Sequence, residues 1–100
     1  WLSGFLDTSG TLSIDKGAKE ALNQGGSLLP VGLTEVSGDF ERGDVVILND
    51  EIGNEIGKGV TTYSSVEASL IVGCRSEEIL KKLGYQGKPE IIHRDDMVLF

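Results

Sequence analysis

The stretch of residues 25–48 constrains the fold more than any other part of this chain. It combines an apolar run, Pro30, regularly spaced glycines and a polar turn at 40–44. Short strands separated by Gly-rich turns are typical of a small, strongly bent sheet or barrel rather than an open parallel sheet. We therefore expect the apolar residues of this stretch to fill the interior and to form a second wall: Leu28, Leu29, Val31, Leu33 and Val36, then Val45, Val46, Ile47 and Leu48.

The size and composition of the chain predict one folded domain. Its 100 residues suffice for a single core, and 39% hydrophobic with 25% charged residues is ordinary for a soluble globular chain. No apolar run approaches the roughly 20 residues that a membrane span requires. A secretory signal is not visible, and the lone Cys74 cannot form an internal disulfide. These features predict a cytoplasmic protein that does not contact a membrane.

The charge of the chain argues against avid binding to nucleic acid. The formal net charge is -7, whereas such binding comes mainly from Lys and Arg on phosphates. Residues 39–60 are the most acidic part. A surface that faces anions would therefore have to draw on Lys16 and Lys19 or on the last forty residues.

Local patterns predict the elements and their boundaries. Strands are predicted at 11–14, 28–30, 33–37, 45–48 and 55–63, with closing strands at 91–93 and 97–99. Asp15 is the expected N-cap of a helix that ends at Gly25 and Gly26. A capping box at 64–67 predicts a second helix that runs to about Val72. Ser76 is the expected cap of a third helix that ends at Gly84.

Two motifs resemble catalytic signatures but favour structural roles. Residues 53–59, GNEIGKG, are one residue too short for a phosphate-binding P-loop and lack its final hydroxyl, so a glycine-bent strand is expected. The run His93-Arg94-Asp95 echoes a protein-kinase catalytic loop, but Phe100 stands where that loop needs Asn. We expect a structural His93, and we expect Arg94 to pair with Asp95 or Asp96.

The remaining reactive residues also favour structural interpretations. Cys74 follows a helix end, where the helix dipole disfavours a thiolate, so it is not expected to be a nucleophile. The acids of the central region lack the spacing of a calcium loop, and a solvated face is expected instead. They are Asp39, Glu41, Asp44, Asp50, Glu51 and Glu55.

Five segments together resemble the C-terminal PUA domain of the bacterial glutamate 5-kinase family. They are TLSIDKGAKEAL (11–22), GGSLLPVGLTEVSGDFERGDVV (25–46), IGKGVTTYSS (56–65), SEEILKKLGY (76–85) and HRDDMVL (93–99). The resemblance implies a mainly β fold with flanking helices, a PUA-like pseudo-barrel of about six strands. It also implies that residues 1–10 are a linker from a preceding kinase domain and that residues 11–100 are the PUA domain.

The same resemblance implies that the parent protein is an enzyme and that this chain takes no part in its catalysis. Such an enzyme transfers the γ-phosphoryl group of ATP, with Mg, to L-glutamate at the start of proline synthesis. Its catalytic residues lie upstream, so we expect this chain to be catalytically silent and to hold no cofactor or metal. The expected partners are the kinase domain and other subunits.

RNA binding is the alternative that the resemblance leaves open. PUA domains that bind RNA use the first helix, the loop after it and the adjoining strand. At the matching positions this surface comprises Lys16, Lys19, Gly25, Gly26, Ser27, Leu29, Pro30 and Gly32. Only two of these residues are basic, and no aromatic residue among them could stack on a base.

Overall fold

A computed structural model describes residues 10–85 and 87–100, with only the backbone described at Ser76. Within them, five strands form one sheet in the order β2-β1-β3-β4-β5. The elements in chain order are β1 (Gly10–Ile14), α1 (Lys16–Asn23), β2 (Leu33–Gly38), β3 (Val45–Asn49), β4 (Glu55–Val60), α2 (Ser65–Leu70), α3 (Ser76–Leu83) and β5 (Met97–Leu99). The linker predicted at 1–10 lies outside the described residues except for Gly10, which is already the first residue of β1.

The helix boundaries follow from local capping. The side chain of Asp15 accepts a hydrogen bond from the Ala18 amide at 2.8 Å, which confirms it as the N-cap of α1. Ser64 and Glu67 form the predicted capping box of α2. Gly84 ends α3 in the left-handed conformation, with φ of +82°.

Two predicted helix boundaries were wrong, and the strand predicted at 55–63 ends at Val60. Helix α2 ends at Leu70 rather than near Val72, with Ile71 as its C-cap. Ser76 is the first residue of α3, and Arg75 occupies the N-cap position instead. The Arg75 amide donates to the carboxylate of Glu78 at 3.1 Å. That contact satisfies one of the amides at the helix start, so no hydroxyl cap is needed there.

Strand β1 is an interior strand of the sheet, next to the edge strand β2. It pairs antiparallel with β2 and parallel with β3, and β3 then forms a hairpin with β4. Strand β5 adds to the free side of β4. An isolated bridge joins Leu28 to Ile92, where the Leu28 amide donates to the Ile92 carbonyl at 3.0 Å. This bridge links the segment after α1 to the segment before β5 and stands in for a sixth strand, which is consistent with the pseudo-barrel.

The strand predicted at 28–30 is therefore reduced to that bridge. Pro30 begins a 3₁₀ turn, Pro30–Gly32, because proline has no amide to donate to a strand ladder and its fixed φ suits the first position of a helical turn. The strand predicted at 91–93 is likewise shortened. Ile92 makes the bridge, and a 3₁₀ turn, Arg94–Asp96, leads into β5.

The core lies on the concave side of the sheet. Leu12, Ile14, Val46 and Leu48 are fully buried and occupy alternate positions of β1 and β3. Leu28 and Leu33 are buried as expected, and Val36 is partly buried. The prediction was wrong for three residues, since Leu29, Val31 and Val45 are 43%, 47% and 36% exposed. Strand alternation turns Val45 outward, and the 3₁₀ turn does the same for Val31.

Candidate functional site

Part of the surface predicted from the first helix and its following loop lines an open groove beside α1, namely Ser27, Leu29 and Gly32. We call it the α1–loop groove. It has a volume of about 270 Å³, and much of its lining is apolar. Its lining residues are Asp15, Gly17, Ala18, Ala21, Ser27, Leu29, Val31 and Gly32.

Close packing between the loop and α1 shapes this groove. A Cβ on Gly32 would lie 2.5 Å from the Cβ of Ala18, so only glycine lets the loop approach the helix this closely. Pro30 is buried, and its carbonyl accepts from the Gly73 amide at 2.9 Å. The Ser27 hydroxyl accepts from the Arg94 amide at 3.0 Å and ties the loop to the turn before β5.

The two glycines after α1 do not present their amides to a ligand. The Gly25 amide donates to the Leu22 carbonyl at 3.0 Å, and the Gly26 amide donates to the Ala21 carbonyl at 2.9 Å. Gly25 has a φ of +88°, which allows the chain to turn back after the helix. These amides complete the end of α1, so in this conformation they are not available to bind a phosphate.

The two lysines of the predicted surface face a second groove on the other side of α1. This groove has a volume of about 310 Å³ and is lined by Lys16, Lys19, Glu20, Asn23, Asp50, Glu51 and Ile52. The ammonium group of Lys19 lies 3.2 Å from the carboxylate of Asp50. Lys16 has no ion pair with any described carboxylate. One unpaired cation therefore remains on this face of the described chain.

Asp50 corrects the expectation of a fully solvated acidic face. Its side chain is only 6% exposed, and one oxygen accepts from the amides of Ile52 and Asn54 at 3.0 and 2.9 Å. The Asn54 amide contributes most to holding the pKa of Asp50 below its usual value, and Lys19 adds to the effect. Asp50 thus shapes the hairpin loop between β3 and β4, and it also neutralises Lys19.

A second ionic cluster lies near the start of β3, and local sequence patterns did not predict it. The guanidinium of Arg42 pairs with the carboxylate of Glu67, with Nε 2.9 Å from Oε1, and also donates to the Tyr85 hydroxyl at 3.0 Å. The Tyr85 hydroxyl in turn donates to Glu67. The hydrogen bond from Arg42 lowers the pKa of Glu67 to about 2 and raises that of Arg42. These residues are distant in sequence, so no local pattern could have paired them.

The cluster borders an open pocket of about 390 Å³. Thr62, Tyr63 and Lys88 also line it. Arg42 already carries a carboxylate partner, so its charge is not free for an anionic ligand. The cluster joins the turn before β3, helix α2 and the end of α3, and we assign it a structural role.

The residues 93–95 also have structural contacts. Nδ1 of His93 accepts from the Asp95 amide at 3.1 Å, and Nε2 lies 3.7 Å from the carboxylate of Glu90. The expectation that Arg94 pairs with Asp95 or Asp96 was wrong, because no described carboxylate lies within ion-pair distance of its guanidinium. The acid beside it, Asp95, contacts His93 instead.

Residues 55–59 of this motif lie in β4, as the glycine-bent interpretation expects, and Gly53 and Asn54 belong to the loop before it. Gly57 and Gly59 are buried within β4. Cys74 is buried and has no disulfide partner. Within residues 10–85 and 87–100, no three His, Cys, Asp or Glu side chains are grouped so that they could hold a metal ion. None of the described helices has the length and apolar character needed to cross a bilayer.

Comparison with known proteins places these observations in a family. A family model for the PUA domain matches residues 10–83. The chain is 50% identical over 99 residues to a glutamate 5-kinase of Paramagnetospirillum magneticum, and 51% identical over 100 residues to that of Stutzerimonas stutzeri. Each match covers 99% of this chain but 27% of the kinase, so the chain spans about a quarter of the length of these relatives.

Solved structures show the same fold. A PUA domain from Aeropyrum pernix superposes with a TM-score of 0.60 at 30% identity, over 86% of this chain and 43% of that one. A chain of the archaeal box H/ACA sRNP Nop10–Cbf5 complex gives a TM-score of 0.54 at 17% identity, over 86% of this chain and 25% of that one. The fold of this chain is therefore a known architecture, and this chain belongs to the PUA domain family.

Proposed function

We propose that this chain is the non-catalytic C-terminal PUA domain of a cytoplasmic glutamate 5-kinase, where it modulates the kinase part or its assembly. The observation that carries the proposal is the identity of about 50% across 99% of the chain, with 27% of each kinase covered. The parent enzyme would transfer the γ-phosphoryl group of ATP to L-glutamate in proline biosynthesis. ATP and Mg would bind to the kinase part, and this domain would hold no cofactor.

The surface chemistry supports protein contact over polyanion binding. The chain carries a net charge of -7, and the ion pair with Asp50 neutralises one of the two lysines on α1. The α1–loop groove is mostly apolar, with Leu29 and Val31 exposed along it. Nucleic-acid interfaces are instead strongly positive and polar.

A truncation experiment tests this proposal. The full-length kinase is compared with a version that ends before residue 10, and the oligomeric state, kcat, KM for glutamate and the response to proline are measured for both. We expect at least one of these quantities to change while the truncated enzyme keeps its phosphoryl-transfer activity. Identical values for all four would contradict a modulating role, and complete loss of activity in a folded truncation would contradict a non-catalytic one.

RNA binding is the second candidate, favoured by the unpaired Lys16 and by the shared fold of the chain from the H/ACA complex. The test is titration with a structured RNA at several salt concentrations. RNA binding predicts saturable affinity that falls steeply with salt and is lost on Lys16→Glu with Lys19→Glu. The control is Lys81→Glu with Lys82→Glu on α3, which makes the same charge change away from this surface. Our preferred function predicts no saturable binding even at low salt.

A further inference from the structure

The outer face of the sheet carries an exposed apolar patch. Val45 is paired with Val60, Ile47 with Lys58, and Lys58 with Val98. Directly paired side chains share one face of a sheet, and residues two apart on a strand do so as well. These residues therefore form one continuous surface, which we call the outer sheet patch: Val45, Ile47, Lys58, Val60 and Val98.

The burial of the sheet supports this assignment of faces. Val46, Leu48, Gly57 and Gly59 alternate with the patch residues and are buried on the core side. On the patch itself, Val45 and Val60 are each 36% exposed and Val98 is 59% exposed. Ile47 and Lys58 lie between them and are partly buried.

The composition of the patch differs from that of the whole chain. It contains four aliphatic side chains and one lysine but no carboxylate, although acids outnumber bases by 16 to 9 in the chain. The pairing of Thr11 with Ile47 extends the same face by a neutral residue. Contiguous exposed apolar surface that is depleted in charge is characteristic of protein–protein contact.

The topology places the start of β1 at the end of the sheet that holds part of this patch. Strand β1 runs parallel to β3, with Gly10 opposite Val46, so the chain reaches β1 from the end of the sheet that holds Val45 and Val60. In the glutamate 5-kinases that the chain matches, most of the protein lies outside the matched part. A kinase part that precedes this domain would thus be tethered next to the patch.

We propose that the outer sheet patch is the surface on which the kinase part of glutamate 5-kinase docks. The inference rests on the proposed function and names the contact through which the domain acts. Docked kinase atoms would cover Val98 and the Val45–Val60 pair, and Lys58 would meet a carboxylate or carbonyl of the kinase part. The effect of the domain on the enzyme would then depend on this face rather than on the α1–loop groove.

Substitutions in the full-length kinase test the inference. Val98→Asp, and separately Lys58→Glu, are expected to reproduce the kinetic or assembly change that deletion of the whole domain causes. They are also expected to split one calorimetric unfolding transition into two, since undocked domains unfold independently. Val66→Asp is the matched control, because Val66 is 70% exposed on α2 and lies off the sheet. It should change neither quantity.

A second control separates docking from folding. Val98→Asp in this 100-residue chain should leave its thermal midpoint within a few degrees of the parent value, because the side chain is mostly exposed. A large drop would show that Val98 supports the fold itself, and the inference would then have to stand on Lys58→Glu alone. If Lys58→Glu also left the enzyme unchanged, the inference would be wrong.

Other outcomes overturn the inference in distinguishable ways. If deletion changes the enzyme but both patch variants behave like Val66→Asp, the kinase part docks elsewhere and the proposed function survives. If Leu29→Asp instead reproduces the change caused by deletion, docking would be located at the α1–loop groove. Self-association of this chain that Val98→Asp abolishes would make a second copy the occupant. If deletion itself has no effect, the proposed function fails and this inference fails with it.

Discussion

At the scale of single residues, the glycines of β4 decide how closely the closing segment can approach the sheet. A Cβ on Gly57 would lie 2.7 Å from the carbonyl oxygen of Val98, and one on Gly59 would lie 2.8 Å from Cγ2 of Ile92. Neither glycine has a positive φ, so space rather than conformation requires them. The glycines of the motif at residues 53–59, which superficially resembles a phosphate loop, therefore serve close packing.

Gly57→Ala should destabilise the domain by about 2 kcal/mol, because the new methyl group meets the backbone of β5, which cannot move aside cheaply. The free energy of unfolding in urea is the measurement. Gly17→Ala is the control, since its Cβ would lie 3.5 Å from the Asp15 carboxylate in ordinary contact. Alanine in a helix is about 0.5–1 kcal/mol better than glycine, so this variant should be neutral or slightly stabilised. Equal losses in both variants would show that the approach of β5 is not the cause.

Glu67 should make stability depend on pH in the acid range. Its pKa is about 2 in the folded domain against 4.5 for the unfolded reference, chiefly because of the hydrogen bond from Arg42. A lowered folded pKa adds stability that is fully present above the unfolded pKa and is lost as the pH falls towards the folded one. Glu67→Gln should therefore cost stability at pH 7, and the cost should shrink as the pH falls from about 4.5 towards 2.

Urea unfolding of the parent and of Glu67→Gln at both ends of this range measures the effect. The glutamine can still accept from the Ser64 amide, so the capping box is largely preserved. Glu35→Gln on the exposed side of β2 is the control for the loss of one carboxylate. A cost for Glu67→Gln that stays constant across the range would contradict the role of the Arg42 contact.

At the scale of elements, α2 depends on its cap because the helix is short. It spans Ser65–Leu70 and packs against β2, yet so short a helix is unstable on its own. The capping box supplies two hydrogen bonds at its start, from the Glu67 amide to the Ser64 hydroxyl at 3.3 Å and from the Ser64 amide to the Glu67 carboxylate at 2.9 Å. The cap therefore fixes where the chain turns after β4.

Ser64→Ala should cost about 1 kcal/mol, because it removes the acceptor for the Glu67 amide. For a domain of this size that corresponds to a fall of about 4–8 °C in the melting temperature. Ser69→Ala is the control, since its exposed hydroxyl donates only to the Ser65 carbonyl within the same helix. A loss for Ser69→Ala as large as that for Ser64→Ala would argue against a specific role of the cap.

Sequence patterns predicted these elements where the determining contacts are local. The caps at Asp15 and Ser64 and the end of α3 at Gly84 are set by groups within a few residues, and all were found. Apolarity alone could not reveal that Leu29 and Val31 turn outward, because that depends on a 3₁₀ turn packed against α1. The pair of Arg42 with Glu67 joins residues that only the folded chain brings together. The resemblance predicted which residues form the candidate surface beside α1. It did not predict that Asp50 pairs with Lys19 and neutralises its charge.

At the scale of the whole molecule, the bridge between Leu28 and Ile92 holds the two ends of the pseudo-barrel together. Ile92 is fully buried and contacts the position of Gly59, so it packs where β4 and the closing segment meet. Ile92→Ala should destabilise the domain by about 2–4 kcal/mol through lost burial and a residual cavity. Val66→Ala, at an exposed position, should change the free energy of unfolding by less than about 0.5 kcal/mol. Chemical denaturation measures both, and comparable values would contradict a central role for the bridge.

The strand order of the sheet was beyond the reach of residue patterns alone. Parallel pairing of β1 with β3 brings together segments separated by a helix and by another strand, and alternation within a strand does not specify its neighbour. The resemblance to PUA domains supplied the pseudo-barrel that local reasoning could not. The comparisons confirm that fold, whereas the contacts of the domain with a kinase part stay a prediction.

The interior position of β1 in the sheet has a mechanical consequence. A chain joined ahead of Gly10 pulls on a strand that is held by ladders on both sides, to β2 and to β3. Such a force cannot detach β1 as it could an edge strand, because the hydrogen bonds of β1 to β2 and to β3 must break together. A pulling force on the attached chain is therefore transmitted to an interior strand of the sheet rather than to an edge strand.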